Sequence, residues 1–296
     1  MSSTFFSASP HWRWFIAGYF FLGGLAGGTY FVTTMMHLFA KNPDRRMVRL
    51  GYLIPFPLVC LCGLLLTVDL GRPERFWHML VQSETFRPMI KTYSPMSSGA
   101  WVLMLFSGCA FLSFLAALAE RGWPDWPILR RLDPTALPGR LLAVIGALLG
   151  LYLAGYTGVL LSVTNRPIWA DTTFLGLVFL VSGASTSSAL LVLLGSWVEV
   201  SPRSVDSLER FERPVLILEV LALAAFIASL GRVATVWLNS WGLLLAAVFL
   251  GGITLPLVLD WRRPLPGRQR WIGPALVLFG GLLLRAAVII FSSDLL

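Results

Sequence analysis

The stretch AGYTGVLLSVTNRPIW, Ala154 to Trp169, decides the fold. It opens with small and branched apolar residues and closes in Asn165-Arg166-Pro167, which is polar and stops a helix. An apolar helix ending at such a triplet reads as a membrane span reaching a water interface. Tyr156 lies inside it, between Gly155 and Thr157-Gly158, and its phenol O–H needs a partner at that depth. Three roles fit such a tyrosine: filler, interfacial anchor and ligand group.

The rest of the sequence has the same character. Its 296 residues are 56% hydrophobic and 13% charged, with a mean hydropathy of +0.76. Soluble domains carry about 25% charged residues, so this is an all-α, polytopic membrane protein. The net charge of +8 does not point to nucleic acid, because the basic residues fall in short connections between apolar segments. The N-terminal stretch MSSTFFSASPHWRW lacks a basic n-region and a small-residue cleavage site, so the first helix is expected to be retained. Cys60, Cys62 and Cys109 are too few and too scattered for a cluster or zinc site. A bis-histidine haem needs two facing histidines, and His11, His37 and His78 all lie near segment ends. Neither haem nor metal is expected in this protein, and electron chemistry would need a metal-bearing partner.

Eight segments reach the length of about 20 residues needed to cross a bilayer: 13–39, 48–69, 96–119, 139–163, 172–197, 212–236, 240–260 and 272–292. They form one membrane domain over residues 1–296, expected as two halves resembling four-helix bundles. The longest connection, 70–95, is too short for a catalytic domain. Connections after the first, third, fifth and seventh segments hold fifteen of the 23 Lys and Arg residues, and the opposite side holds seven. The positive-inside rule makes the first set cytoplasmic and puts both termini on the outer face, the periplasm of a bacterial inner membrane.

On this topology three polar residues share a depth near the outer face: Tyr19 in segment one, Asp69 ending segment two and Tyr156 in segment four. Intramembrane polar groups are functional candidates by default. A lateral pocket for a quinone fits them. The ring needs an apolar slot and one or two donors, a tyrosine O–H both donates and accepts, and a carboxylate nearby exchanges protons. The aromatic belt at membrane interfaces is the competing reading of both tyrosines. Deeper, Glu219 and Arg285 fit either a structural ion pair or a proton path, with Ser185 in the run Ser182-Gly183-Ala184-Ser185-Thr186-Ser187-Ser188.

Five stretches together resemble the membrane subunits of the polysulfide reductase (NrfD/PsrC) family: GYFFLGGLAGGTYF (18–31), LTVDLGRPERFW (66–77), SPMSSGAW (94–101), GYTGVLLSVTNRPIW (155–169) and FLVSGAS (179–185). The resemblance covers the first five segments in order. Beyond them it is looser, mainly GGLLLR (280–285). It implies eight membrane helices without haem, and a quinone (menaquinone or ubiquinone) bound near the outer face. A docked iron–sulfur subunit, of the ferredoxin-like 4Fe-4S type, would exchange electrons there. A molybdenum or tungsten bis-pterin (molybdopterin) catalytic subunit would complete the complex. The family's Y-x-G tyrosine of helix four falls on Tyr156, and its polar residue on helix one falls on Tyr19. Family members can carry His at that position, so Tyr19 is a departure. An Asn found one turn earlier in some members is replaced by Ile16. The acidic end of helix two falls on Asp69, followed by Gly71-Arg72-Pro73.

Two other classes compete. A transporter would show inverted repeats and helices broken at the midplane; here the glycine clusters are asymmetric and the polar groups crowd one face. A plain anchor without quinone chemistry is separated from the quinone reading by one observation: whether Tyr19, Asp69 and Tyr156 converge on one apolar slot.

Overall fold

A computed structural model describes residues 12, 14–40, 44–120, 122, 126, 129, 132–133, 136–166, 168–198, 200–237, 240–262 and 271–294. His11, the first residue of the segment expected over 13–39, Pro167 and the basic connection 263–270 lie outside the described residues.

The apolar runs leave the backbone one way to satisfy its own N–H and C=O groups without water, and they form helices. The first are α1 Trp14–Phe39, α2 Arg45–Leu53 and α3 Pro55–Asp69. Pro55 interrupts one continuous span between α2 and α3. After a 3-10 turn at Pro73–Met79 come α4 Pro95–Ala119, α5 Leu137–Ser162, α6 Leu175–Gly195 and α7 Pro202–Ser229. Prolines sit in the first turns of α3, α4, α5 and α7, where no intrahelical amide is lost. The next span is built from α8 Ser240–Ala247, a π-helical segment Val248–Thr254 and α9 Leu255–Arg262; α10 Ile272–Asp294 follows as the last helix. Pro256 has no N–H to return to the carbonyl four residues back. The ladder widens just before it, with Leu255 N donating to Leu250 O. Among the described residues no strand forms, only an isolated bridge between Val81 and Pro88.

Among the described residues, seven spans are long and apolar enough to cross a membrane. The sixth expected segment, 212–236, differs. Its helix, α7, starts earlier, carries Glu212, Arg213 and Glu219, and stops at Ser229. Gly231 turns the backbone with φ of 52° into a 3-10 turn, Gly231–Trp237. The all-α, multi-pass architecture stands, with α7 as the remaining helix beside the seven.

Packing centres on α1 and α6. α1 lies against α3, α5 and α6, while α6 also holds α5, α7 and α10. Spans one to four thus gather around α1 and the later ones around α6 and α10. The α1–α5 crossing is close because it is glycine on glycine: a Cβ on Gly27 would overlap the Gly150 backbone. The outward faces are apolar stripes at helical spacing, Leu61, Leu64 and Val68 on α3 and Leu141, Ile145 and Leu148 on α5, all exposed. Water does not favour such faces and lipid does.

Asp44 joins two distant elements. Its carboxylate caps α2, accepting from Arg46 N at 2.9 Å, and accepts from Ser201 N at 2.7 Å just before α7. Burial alone would raise this carboxyl, but the backbone N–H groups of Ser201 and Arg46 hold it below the ordinary aspartate value.

Candidate functional site

Tyr19 comes from the first turns of α1 and Tyr156 from the last turns of α5, at the same end of the bundle. Both side chains are buried, and their hydroxyls lie 3.0 Å apart. The pair lines a cleft of about 480 Å³ walled by α1, α3, α4 and the 3-10 turn, and Asp69 lines the same cleft from the end of α3. The walls are apolar and aromatic, with Phe20, Leu66, Phe76, Met79, Met96 and Leu103 among them. This volume falls within the range of about 300–1,000 Å³ typical of small-molecule sites.

Two further hydroxyls line the cleft, and both are engaged within their own helices. Thr67 donates to Gly63 O at 2.7 Å and Ser107 to Leu103 O at 2.6 Å. Of the hydroxyl and carboxyl groups lining the cleft, those left for a ligand are the two phenols and the Asp69 carboxylate. When one phenol donates to the other, one O–H hydrogen remains. These three groups together offer one neutral donor, an adjoining hydroxyl that accepts, and a carboxylate. That set suits a ring bearing carbonyl or hydroxyl oxygens, and it is a poor set for a metal ion. Among the described residues no three His, Cys, Asp or Glu side chains cluster as metal ligands.

An aromatic stack adjoins the cleft. Trp12, which lines the cleft, stacks on Trp169 with centroids 5.4 Å apart, and Arg166 lies 5.5 Å over the Trp169 ring. Trp169 is held from below, Nε1 donating to Val288 O at 2.8 Å. Its neighbour Ile168 adopts φ of 73°, rare for a β-branched residue, and its N–H donates to Asp171 Oδ2 at 2.9 Å.

The deeper residues form a second cluster. Ser185 Oγ donates to Glu219 Oε2 at 2.6 Å. Arg285 donates to Ser182 Oγ at 3.1 Å and to three main-chain oxygens: Gly281 at 2.9 Å, Phe20 at 3.2 Å and Phe179 at 3.3 Å. The carboxylate and the guanidinium are connected through one turn of α6, by Ser182 and Ser185. Phe20 follows Tyr19, so this cluster abuts the α1 turn that carries the phenol.

A third polar group went unnoticed in the sequence. Tyr30 and Ser113 hydroxyls lie 2.7 Å apart, Thr34 and Tyr52 hydroxyls 3.2 Å apart, toward the opposite end of α1. Beside them a small cavity of about 10 Å³, large enough for one water, is lined by Arg49, Tyr52, Ser113 and Glu120. Burial pushes the Glu120 carboxyl above its ordinary value, Asp133 adds to this, and Arg49 and Arg45 oppose it. The available signal was the spacing of Tyr30, Thr33 and Thr34 on one helix.

Comparison with known proteins agrees with this architecture. Residues 2–294 match the family described as Polysulphide reductase, NrfD. The sequence is 28% identical to Protein NrfD of Escherichia coli over 77% of its length and 74% of that protein. It is 28% identical to a polysulfide reductase component of Wolinella succinogenes over 86% of its length and 84% of the relative. It is 22% identical to a selenate reductase component of Mesobacillus selenatarsenatis over 87% of its length and 60% of that protein. A family match over almost the whole sequence, on a bundle of apolar helices, identifies this chain as a multi-pass membrane protein of the polysulphide reductase NrfD family.

Proposed function

We propose that this protein is the quinone-reactive membrane subunit of a respiratory oxidoreductase complex. The observation that carries the reading is the hydrogen-bonded Tyr19–Tyr156 pair sharing one apolar cleft with Asp69. Two relatives, named as parts of a polysulfide reductase and a selenate reductase, support a place within a multi-subunit enzyme.

The quinone, as substrate, supplies a two-electron, two-proton couple. The residues of this protein bind it, orient it and handle protons. The remaining O–H of the phenol pair donates to one ring oxygen of a quinone, and the same pair accepts from a quinol hydroxyl by reversing its bond. Asp69, at the end of α3, is the group to take protons leaving a quinol or to give them to a quinone. The apolar walls keep water from the ring faces. Two electrons pass between this site and an iron–sulfur subunit docked on the outer face, with a molybdopterin subunit beyond it. The 70–95 connection presents exposed Phe76, Phe86, Ile90 and Tyr93 for that docking. Charge bias puts that face, and both termini, outside the bacterial inner membrane. Ser185, Glu219 and Arg285, next to the Tyr19 turn, are the groups through which an inward proton route would run.

Tyr156→Phe in the purified complex tests the reading, because it removes one O–H and keeps the ring. Quinol oxidation or quinone reduction falls about tenfold or more, equivalent to about 1.4 kcal/mol in the barrier, with the partner subunit still bound. Wild-type rates would make Tyr156 an interfacial anchor and remove the proposed site.

A further inference from the structure

α4 has two lined faces and a glycine between them. Met96, Ala100 and Leu103 face the cleft that holds the phenol pair. Pro95 and Ser98 face a separate groove of about 550 Å³, closed by Tyr152, Val159 and Leu180. Tyr156 lines both spaces, so its ring is the partition between them. The groove offers no spare donor at its serine or at Tyr152: Tyr152 donates to Ser98 Oγ at 2.9 Å, and Ser98 donates to Pro95 O at 2.9 Å. The side of the partition on which the Tyr156 hydroxyl sits therefore decides whether it meets Tyr19 or a groove whose nearby Ser98 and Tyr152 hydroxyls are already engaged with each other.

Gly99 stands where that ring crosses α4. A Cβ built on it would overlap Cε2 and Cζ of Tyr156 and come within 2.6 Å of its hydroxyl oxygen. Atoms of a stiff aromatic ring held against Tyr19 on one side and stacked near Tyr152 on the other have little room to yield. Nothing in the helix itself calls for glycine here: Gly99 is within α4 and its φ is not positive. Mid-helix glycine is intrinsically worse than alanine. Gly108, on the same helix, has open space around its Cβ position. The two glycines of one helix thus differ in what lies over them.

We propose that Gly99 is the positioning residue of Tyr156: its bare backbone is the seat of the phenol ring, and it fixes the hydroxyl against Tyr19 on the cleft side. The packing claim stands on geometry alone, while its consequence for turnover rests on the quinone reading of Tyr156. Any side chain at 99 displaces the ring, breaks the bond between the two phenols and turns the hydroxyl from the cleft.

The test uses the assembled complex with Gly99→Ala, Gly108→Ala, Tyr156→Phe, Tyr156→Ala and the pair Gly99→Ala/Tyr156→Ala. Gly99→Ala is expected to lower kcat/KM for quinol about as far as Tyr156→Phe, and Gly108→Ala to leave it unchanged. Gly99→Ala is also expected to lower the unfolding midpoint when Tyr156 is present and to have no further effect in the Tyr156→Ala background. Should Gly99→Ala alone fail to assemble, the pair with Tyr156→Ala restores assembly, because the ring is what the added methyl strikes. Wild-type kcat/KM for Gly99→Ala beside an impaired Tyr156→Phe overturns the proposal. So does an equal loss of midpoint in both backgrounds, or a pair that stays unassembled. If Tyr156→Phe keeps full activity while the midpoint coupling persists, the quinone reading falls and the positioning role remains.

Discussion

Two phenols in mutual hydrogen bond act as one group with one hydrogen to give, so removing either hydroxyl disables the same device. Tyr19→Phe and Tyr156→Phe together are expected to slow quinol turnover about as much as the worse single change, whereas independent contacts would multiply. A double-mutant cycle on kcat/KM decides this. The family resemblance of the sequence implies a histidine in some members at the position of Tyr19. A phenol carries no extra proton near neutrality, and an imidazole titrates near pH 6.5. Tyr19→His is therefore expected to add a break near that pH to the pH–rate profile, and an unchanged profile would separate Tyr19 from the proton steps. At Glu219 the closest contact is the 2.6 Å bond from Ser185. Ser185→Ala withdraws that donor from a buried carboxyl and is expected to destabilise by about 1–3 kcal/mol, read as a lower unfolding midpoint of the detergent-solubilised complex. Tyr156 was legible as a candidate from its motif, Gly99 was not. The reason lies in packing: the overlap that defines Gly99 is with a side chain on another helix, and no spacing along the sequence encodes it.

Helices, by contrast, were legible wherever the apolar run was long. α1, α4 and α5 follow the expected segments, and α2 and α3 together the second, because a bilayer leaves the backbone no alternative. α7 was misplaced at both ends. Its start carries charged residues that a hydropathy window excludes, and its end is set by the turn at Gly231 rather than by loss of apolar character. The π-helical widening before Pro256 was equally hidden, since a proline within an apolar run marks an interruption and not its form. Asp44 shows how a connection can govern an element. Asp44→Ala removes the α2 cap and the tie to Ser201, a loss of about 1 kcal/mol by the usual worth of such caps. Because its carboxyl is held below the ordinary value, its contribution is present above the unfolded aspartate pKa and lost as pH falls through the lowered one. The mutant and wild-type midpoints are accordingly expected to converge in acid; a constant gap would assign the effect to packing alone.

For the molecule as a whole, the charge bias predicts the sidedness proposed above, and reporter fusions can test it. A fusion at Met79, in the 70–95 connection, is expected to activate a periplasmic reporter, while one at Ser207, at the start of α7, activates only a cytoplasmic one. The opposite pattern would move the proposed docking face to the cytoplasm. The bundle also gives Arg285 an unusual inheritance. Three of its four acceptors are main-chain oxygens, from α1, α6 and its own helix. A main-chain oxygen is present whatever residue a codon specifies, so no single substitution at Phe20, Phe179 or Gly281 can delete its acceptor. The guanidinium's seat is passed on with the course of the backbone itself. Sequences that have drifted far apart can keep a buried charge in the same place without keeping the side chains around it.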